Sequence, residues 1–168
     1  MPRYYAGIGS RQTPTAILAV MQTCGRMLAC TGWTLRSGHA DGADMAFERG
    51  CDQGHGDKEI FIPWFRFNGS DSRLHKIPEW AFEQASELHP NWRFLKGPVR
   101  KLHARNVLQI MGLETGQTVS VVLCWTPNAQ AVGGTATALN LAAQLDIPIV
   151  NFAVVDYKKE LEKWCPGI

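Results

Sequence analysis

The sequence lacks the features that would place the protein in a membrane, in a disulfide-bonded class or on bulk nucleic acid. It contains no run of about 18 apolar residues, and its first residues do not resemble a secretory signal. Its five cysteines form no C-x-x-C pair, which argues against a disulfide framework or a zinc site. The formal net charge is only +2, which does not favour coating duplex DNA through bulk charge. These absences predict a reduced, cytoplasmic protein without a bound metal.

Two common nucleotide-binding motifs are also missing. No G-x-x-x-x-G-K-[ST] segment occurs, which excludes hydrolysis of ATP or GTP by a P-loop. The first glycine-rich turn has Gly7 and Gly9, but Gln12 stands where the dinucleotide motif has its third glycine. No convincing ribose-binding acid follows about 20 residues later. A nicotinamide dehydrogenase is therefore disfavoured, and we expect no cofactor.

The sequence does contain a regular alternation of apolar strand patterns and helix patterns. The chain has 168 residues, of which 45% are hydrophobic, and this predicts one domain over residues 1–168. The predicted strands are 4–8, 33–36, 59–62, 119–124 and 147–152. The predicted helices are 14–30, 43–53, 78–88, 98–111, 133–145 and 156–164. Because the strands are apolar throughout, we expect a doubly wound, mostly parallel, Rossmann-like α/β sheet with helices on both faces.

Three glycine-containing loops follow predicted strands. They are Gly7–Arg11, Ser37–Gly42 and Gly133–Thr135. Glycine allows the backbone to approach a ligand, and free N–H groups at a helix N-terminus favour an anion. One such loop is explained by steric needs of a tight turn alone. Three loops at the same edge of a sheet favour a phosphate site that includes Gly9, Ser10, Gly134 and Thr135.

Charged side chains near these loops have two interpretations each. Arg11 has a guanidinium suited to a phosphate, or it is simply solvated at a helix entrance. Arg105 belongs to a basic segment that either faces the same cleft or forms a solvated helix surface. Asp41 caps the following helix or takes part in chemistry, and Asp44, near the same loop, is predicted to be one of the ligand-binding residues. His39 and His103 have no partner fixed by spacing, so catalysis remains undecided.

Four motifs, in this order, resemble the DprA/Smf family within the wider LOG/DprA superfamily of Rossmann-like proteins. They are Gly9-Ser10-Arg11, Ser37-Gly38-His39-Ala40-Asp41-Gly42-Ala43-Asp44, His103-Ala104-Arg105-Asn106 and Gly133-Gly134-Thr135-Ala136-Thr137-Ala138. The resemblance covers about residues 4–152. It implies a pocket that accepts nucleotide phosphates, and in the DprA/Smf family this surface holds single-stranded DNA. The pocket residues that it implies here are Arg11, Ser37, Gly38, Gly42, Arg105, Asn106, Gly133 and Thr137.

The sequence also departs from these relatives. Val107 stands where the DprA/Smf motif has a second arginine, which removes one phosphate contact. In LOG enzymes a catalytic glutamate follows the glycine loop, whereas this chain has Ala138-Leu139-Asn140 in that stretch. We therefore expect binding of single-stranded DNA or a nucleotide-derived ligand without catalysis. The alternative is a LOG-like enzyme that cleaves or transfers at the N-glycosidic bond of nucleoside monophosphates, with Asp41 or Asp44 as the carboxylate.

Aromatic residues and partners complete the expectations. Trp64, Trp92 and Trp125 fall in predicted loops or near strand ends, where each either stacks on a base or packs in the core. By analogy with the DprA/Smf family, a recombinase is a candidate partner. The sequence leaves self-association open.

Overall fold

The computed structural model describes all residues from 1 to 168. Its strands are β1 (Arg3–Gly9), β2 (Trp33–Ser37), β3 (Lys58–Ile60), β4 (Val121–Trp125) and β5 (Ile149–Asn151). Its α-helices are α1 (Thr15–Cys30), α2 (Ala43–Gln53), α3 (Glu79–Leu88), α4 (Gly97–Met111), α5 (Ala136–Gln144) and α6 (Tyr157–Leu161). None of these helices has both the length and the apolar character that crossing a bilayer requires.

The five strands form one parallel sheet in the order β3-β2-β1-β4-β5. The chain moves outward from β1 to β3 on one side and then returns to place β4 on the other side of β1. This reversal leaves a crevice beyond the carboxyl ends of β1 and β4, where open α/β sheets bind their ligands. The predicted doubly wound, Rossmann-like fold is confirmed.

Side chains of the strands alternate between two apolar cores. Val121 and Leu123 of β4 belong to a core that α1, α2 and α6 cover. Val122 and Cys124 belong to the opposite core, beneath α3, α4 and α5. A strand that is buried on both faces needs apolar residues at every position, which explains the continuous apolar run in β4.

Neither Thr13 nor Asp41 caps the helix that follows it, because both side chains bond to loops instead. Pro14 occupies the N-cap position of α1 without a side-chain cap, and the Thr13 hydroxyl donates to the Ser10 carbonyl at 2.6 Å. Gly42, with φ of +88°, occupies the N-cap position of α2. Asp41 does not cap this helix, since its Oδ1 accepts a hydrogen bond from Asn68 Nδ2 at 3.1 Å.

Three elements differ in length from the prediction. The predicted strand 59–62 ends at Ile60, because the Ile62 N–H bonds to the Leu74 carbonyl and the chain turns into the segment 63–77. The predicted strand 147–152 shortens to β5, which begins after Pro148. Proline has no N–H to donate to a neighbouring strand. The predicted helix 156–164 is longer than α6, which stops at Leu161. Residues 162–165 continue as turns whose N–H groups bond to carbonyls three or four residues earlier.

Candidate functional site

A cavity of about 480 Å³ opens at the crevice beyond β1 and β4. Its walls come from the loops after β1, β2 and β4, from one face of α4 and from the turn that precedes α5. The lining residues are Ile8, Gly9, Ser10, Arg11, Gln12, Ala40, Asp44, Phe67, Leu102, Arg105, Asn106, Gln109, Pro127, Val132, Gly133, Gly134 and Thr135. The volume lies in the range of small-molecule sites in proteins, roughly 300–1,000 Å³.

The loop after β1 is held in one shape by its contact with β4. The Ser10 N–H donates to the Trp125 carbonyl at 3.0 Å, and the Ser10 hydroxyl accepts the Gln12 N–H at 3.0 Å. A Cβ on Gly9 would lie 2.8 Å from both the Cβ of Ala43 and the Trp125 carbonyl oxygen. Glycine is therefore required at this position for close packing. Arg11 extends from this loop at the exposed rim of the cavity.

Arg105 and Asn106 of α4 join the loops around the cavity. Arg105 Nη1 donates to the carbonyls of Gly38, at 2.6 Å, and Phe61, at 2.9 Å. Arg105 Nε donates to the Asn106 side-chain oxygen at 2.9 Å, and Asn106 Nδ2 in turn donates to the Gly134 carbonyl. Through this chain of hydrogen bonds, α4 connects the ends of β2 and β3 to the turn before α5.

Asp44 is the one carboxylate that lines the cavity. It lies in the first turn of α2, and its Oδ2 accepts the Ala40 N–H at 3.3 Å. Burial raises the pKa of Asp44 to about 6, against the opposing effects of the Arg105 charge and of backbone N–H groups. Burial lowers the pKa of Arg105 to about 10, with Asp44 opposing the shift and Arg11 adding to it. Arg105 stays cationic at neutral pH, and the two guanidinium groups contribute positive potential to one site.

The turn before α5 presents backbone to open space. Gly133 has φ of +65°, a left-handed conformation that favours glycine. A Cβ on Gly133 or Gly134 would meet no atom within 4 Å. The short 3₁₀ turn Gly133–Thr135 leads directly into α5, so its free N–H groups lie at a helix N-terminus.

The structure brings nine of the predicted binding residues into the cavity wall and leaves four outside it. The nine are Gly9, Ser10, Arg11, Asp44, Arg105, Asn106, Gly133, Gly134 and Thr135. The four outside are Ser37, Gly38, Gly42 and Thr137. The hydroxyl of Ser37 donates to the Gly7 carbonyl at 2.6 Å. Thr137 is hydrogen-bonded to His103 Nδ1 at 2.7 Å, and burial beside His89 lowers the pKa of His103.

Two further candidates for chemistry lie away from the cavity wall. His39 pairs with Glu48, with Nδ1 and Oε2 2.6 Å apart, and Asp41 is exposed and bonded to Asn68. Neither residue lines the cavity. Of the two carboxylates considered for an enzyme, Asp44 alone is placed to touch a bound ligand.

The predicted tryptophan platforms do not line the cavity. Trp64 lies edge-on to Phe67 with ring centroids 5.4 Å apart, and Arg100 covers the Trp92 ring at 5.4 Å. Trp125 ends β4, in register with Gly9. Phe67 is the aromatic residue in the cavity wall, where Arg105 lies 5.4 Å from its ring.

Sequence reasoning missed several lining residues, and Gln109 is the most informative of them. Leu102, Arg105, Asn106 and Gln109 have the spacing of one helix face. Extending the face from Arg105 and Asn106 by one turn would have found Gln109. No sequence pattern indicated Phe67, because it lies in the irregular segment 63–77, which has no helix or strand periodicity.

Comparison with known proteins supports the fold at low sequence identity. No protein-family model matches the chain, and no curated protein matches it in sequence. The molybdenum cofactor carrier protein of Chlamydomonas reinhardtii superposes with a TM-score of 0.57 at 15% identity, over 96% of this chain and 83% of that one. The Helicobacter pylori DNA processing protein A, described for its single-stranded DNA binding mode, gives 0.58 at 17% identity, over 96% and 72%.

A second DNA processing protein A extends this similarity. The Streptococcus pneumoniae protein gives a TM-score of 0.54 at 14% identity, over 97% of this chain and 56% of that one. This chain therefore spans little more than half of the Streptococcus protein. The predicted resemblance is confirmed at the level of architecture: the chain has the DprA-like, Rossmann-like fold.

Proposed function

We propose that the cavity binds the phosphate of a nucleotide unit and that the protein acts by binding rather than by catalysis. The observation that carries this proposal is the convergence of Arg11, Arg105 and two glycine turns on one cavity. Backbone N–H groups at helix N-termini and an exposed guanidinium such as that of Arg11 are donors that proteins use for phosphates. The buried Arg105 adds positive charge beneath them. The fold neighbours are consistent with a ligand-binding role, since one carries a cofactor and another binds single-stranded DNA.

The size of the cavity favours a single nucleotide unit as the occupant. A volume of about 480 Å³ matches a ligand of that size. The unit is either a free nucleotide or one residue of single-stranded DNA, as in the Helicobacter pylori neighbour. Phe65, two residues before the cavity residue Phe67, is exposed and is our candidate for stacking on a base of a strand that continues past the cavity.

Binding without catalysis is favoured by the surroundings of Asp44. Arg105 and the backbone N–H groups around Ala40 already engage this carboxylate. The glycine turn is followed in α5 by Asn140, an exposed amide where a LOG enzyme has its catalytic glutamate. A LOG-like N-glycosidic activity remains the alternative, with Asp44 as its carboxylate.

A titration at two salt concentrations tests the proposal and separates its two forms. Fluorescence anisotropy of dye-labelled ligands would follow binding of a nucleoside monophosphate and of a short single-stranded oligonucleotide. We expect saturable binding of at least one of them. Oligonucleotide affinity that falls steeply with salt supports single-stranded DNA, because several phosphates then displace counterions. Salt-tolerant mononucleotide binding supports a small ligand, and no binding of either contradicts the proposal.

The enzyme alternative has its own assay. The protein is incubated with nucleoside monophosphates of all bases and both sugars, followed by chromatography for free base. The binding proposal predicts no release, whereas release that disappears in Asp44→Asn would support the enzyme. A recombinase partner, self-association and a cytoplasmic location are proposals by analogy with DprA, and a pull-down with recombinase tests the first.

A further inference from the structure

The rim and the floor of the cavity differ in charge. Arg11, Gly133 and Gly134 are exposed at the rim, where donors and one free positive charge are available. Asp44, Arg105 and Gln109 form the floor and are 4%, 5% and 2% exposed. On the floor, the negative charge of Asp44 offsets the positive charge of Arg105. An anionic group is therefore better placed at the rim, and a neutral polar group at the floor.

The carboxamide of Gln109 is buried in this floor without a protein partner. No side-chain hydrogen bond of the α4 face involves it, whereas Arg105 and Asn106 bond to each other and to loop carbonyls. Two polar side-chain atoms, Tyr5 Oη and Arg36 Nη2, are fully enclosed and have no hydrogen-bond partner. The Gln109 amide atoms are not among these enclosed atoms, and Gln109 lines the cavity, so a ligand in the cavity can reach them. An unpaired buried amide is unfavourable, and a bound ligand would supply its partners.

We propose that Gln109, together with Asp44, binds the hydrogen-bonding edge of a nucleobase while its phosphate lies at the rim. This inference rests on the proposed function and adds the residue that recognises the base. The Gln109 amide offers one acceptor and two donors, and the Asp44 carboxylate offers acceptors. Such a set complements an edge that both donates and accepts, as nucleobases do.

The remaining walls of the floor suit a planar ring better than a second phosphate. Ile8, Phe67 and Leu102 supply apolar surface around the polar groups. A phosphate placed here would face the Asp44 carboxylate, which repels it. Binding sites for flat heterocycles typically combine apolar walls with a few fixed polar groups.

Calorimetric titration of the whole chain tests this inference. The ligands are the four common ribonucleoside 5′-monophosphates and ribose 5-phosphate, which keeps the sugar and phosphate but has no base. The variants are Gln109→Met, which keeps the length of the side chain and removes its hydrogen bonds, and the control Gln144→Met at an exposed site of α5. Thermal unfolding verifies that each variant is folded.

We expect the wild type to bind at least one monophosphate roughly 10-fold or more tightly than ribose 5-phosphate. Gln109→Met is expected to reduce this ratio to near one, without changing the affinity for ribose 5-phosphate, whereas Gln144→Met changes neither. The inference is overturned if every monophosphate binds the wild type no better than ribose 5-phosphate, a comparison that needs no variant. It is also overturned if Gln109→Met weakens all ligands equally.

The outcomes separate this inference from the function on which it rests. Ribose 5-phosphate binding without any preference for a base overturns the role of Gln109 and leaves the phosphate site intact. Failure of every phosphorylated ligand, with the oligonucleotide of the earlier titration also silent, overturns the proposed function itself.

Discussion

At the scale of single residues, Arg11 is the side chain whose loss affects binding with least effect on the fold. It is exposed at the cavity rim. We expect Arg11→Ala to weaken nucleotide binding by roughly 10-fold to 100-fold, since a charge-assisted hydrogen bond contributes about 1.5–3 kcal/mol. Arg49→Ala, at an exposed position of α2, is the matched control. Equal affinity of the two variants in the fluorescence titration would contradict a phosphate at the rim.

Asp44 gives the protein a specific dependence of stability on pH. Its pKa is about 6 in the folded chain and about 3.8 without the fold, so the folded state holds more protons between these values. The contribution of Asp44 to stability therefore falls as pH rises from about 4 to about 6. The rise in pKa corresponds to roughly 3 kcal/mol.

Asp44→Asn removes this contribution. Between pH 4 and pH 7 we expect the difference in free energy of unfolding, variant minus wild type, to increase by roughly 2–2.5 kcal/mol. Urea unfolding at both pH values measures the change, and contributions from other titrating groups cancel in the difference between variants. Parallel pH profiles would show that Asp44 does not titrate as a buried acid.

At the scale of elements, two glycines of the site are expected to respond differently to the same substitution. Gly9→Ala would place a Cβ 2.8 Å from Ala43 and from the Trp125 carbonyl, which predicts a loss of roughly 1–3 kcal/mol in unfolding free energy. Gly134→Ala meets open space, so we expect stability near that of the wild type and weaker ligand binding. Urea unfolding and a nucleotide titration of both variants test this contrast, which fails if Gly134→Ala is the less stable.

Arg105 connects α4 to the loops, and removing it is expected to destabilise the fold. Arg105→Ala leaves the Gly38 and Phe61 carbonyls without this donor and Asp44 without its cation. Each buried acceptor that loses its donor costs roughly 1–3 kcal/mol, so we expect a loss of a few kcal/mol in the free energy of unfolding. The double variant Arg105→Ala with Asp44→Asn should recover part of this loss. Additive effects in the unfolding measurements would rule out coupling between the two side chains.

The elements that the sequence predicts well are those whose apolar pattern is long. The β4 run and the helices α1, α2 and α4 lie within a few residues of their predicted positions. The loops after β1, β2 and β4 were found because glycine there interrupts clear strands. The end of α6 was not predicted, because the chain continues past Leu161 as turns with helix-like hydrogen bonds.

At the scale of the whole molecule, the order of strands decides which loops meet. The placement of β1 between β2 and β4 brings Gly9, Asp44 and Gly133 to one cavity from distant parts of the sequence. The sequence motifs indicated this convergence, but they could not separate residues that face the cavity from residues that shape its backbone. Ser37 ends β2 and Gly38 follows it, yet both serve contacts within the fold.

Backbone amide chemical shifts measured during a nucleoside monophosphate titration would locate the bound phosphate without any substitution. We predict that the largest shifts of a ¹⁵N-labelled protein occur at Gly9 to Arg11 and Gly133 to Thr135, with the Arg105 side chain responding as well. Shifts confined to another surface, or none at saturating ligand, would contradict an anion site built from these two turns.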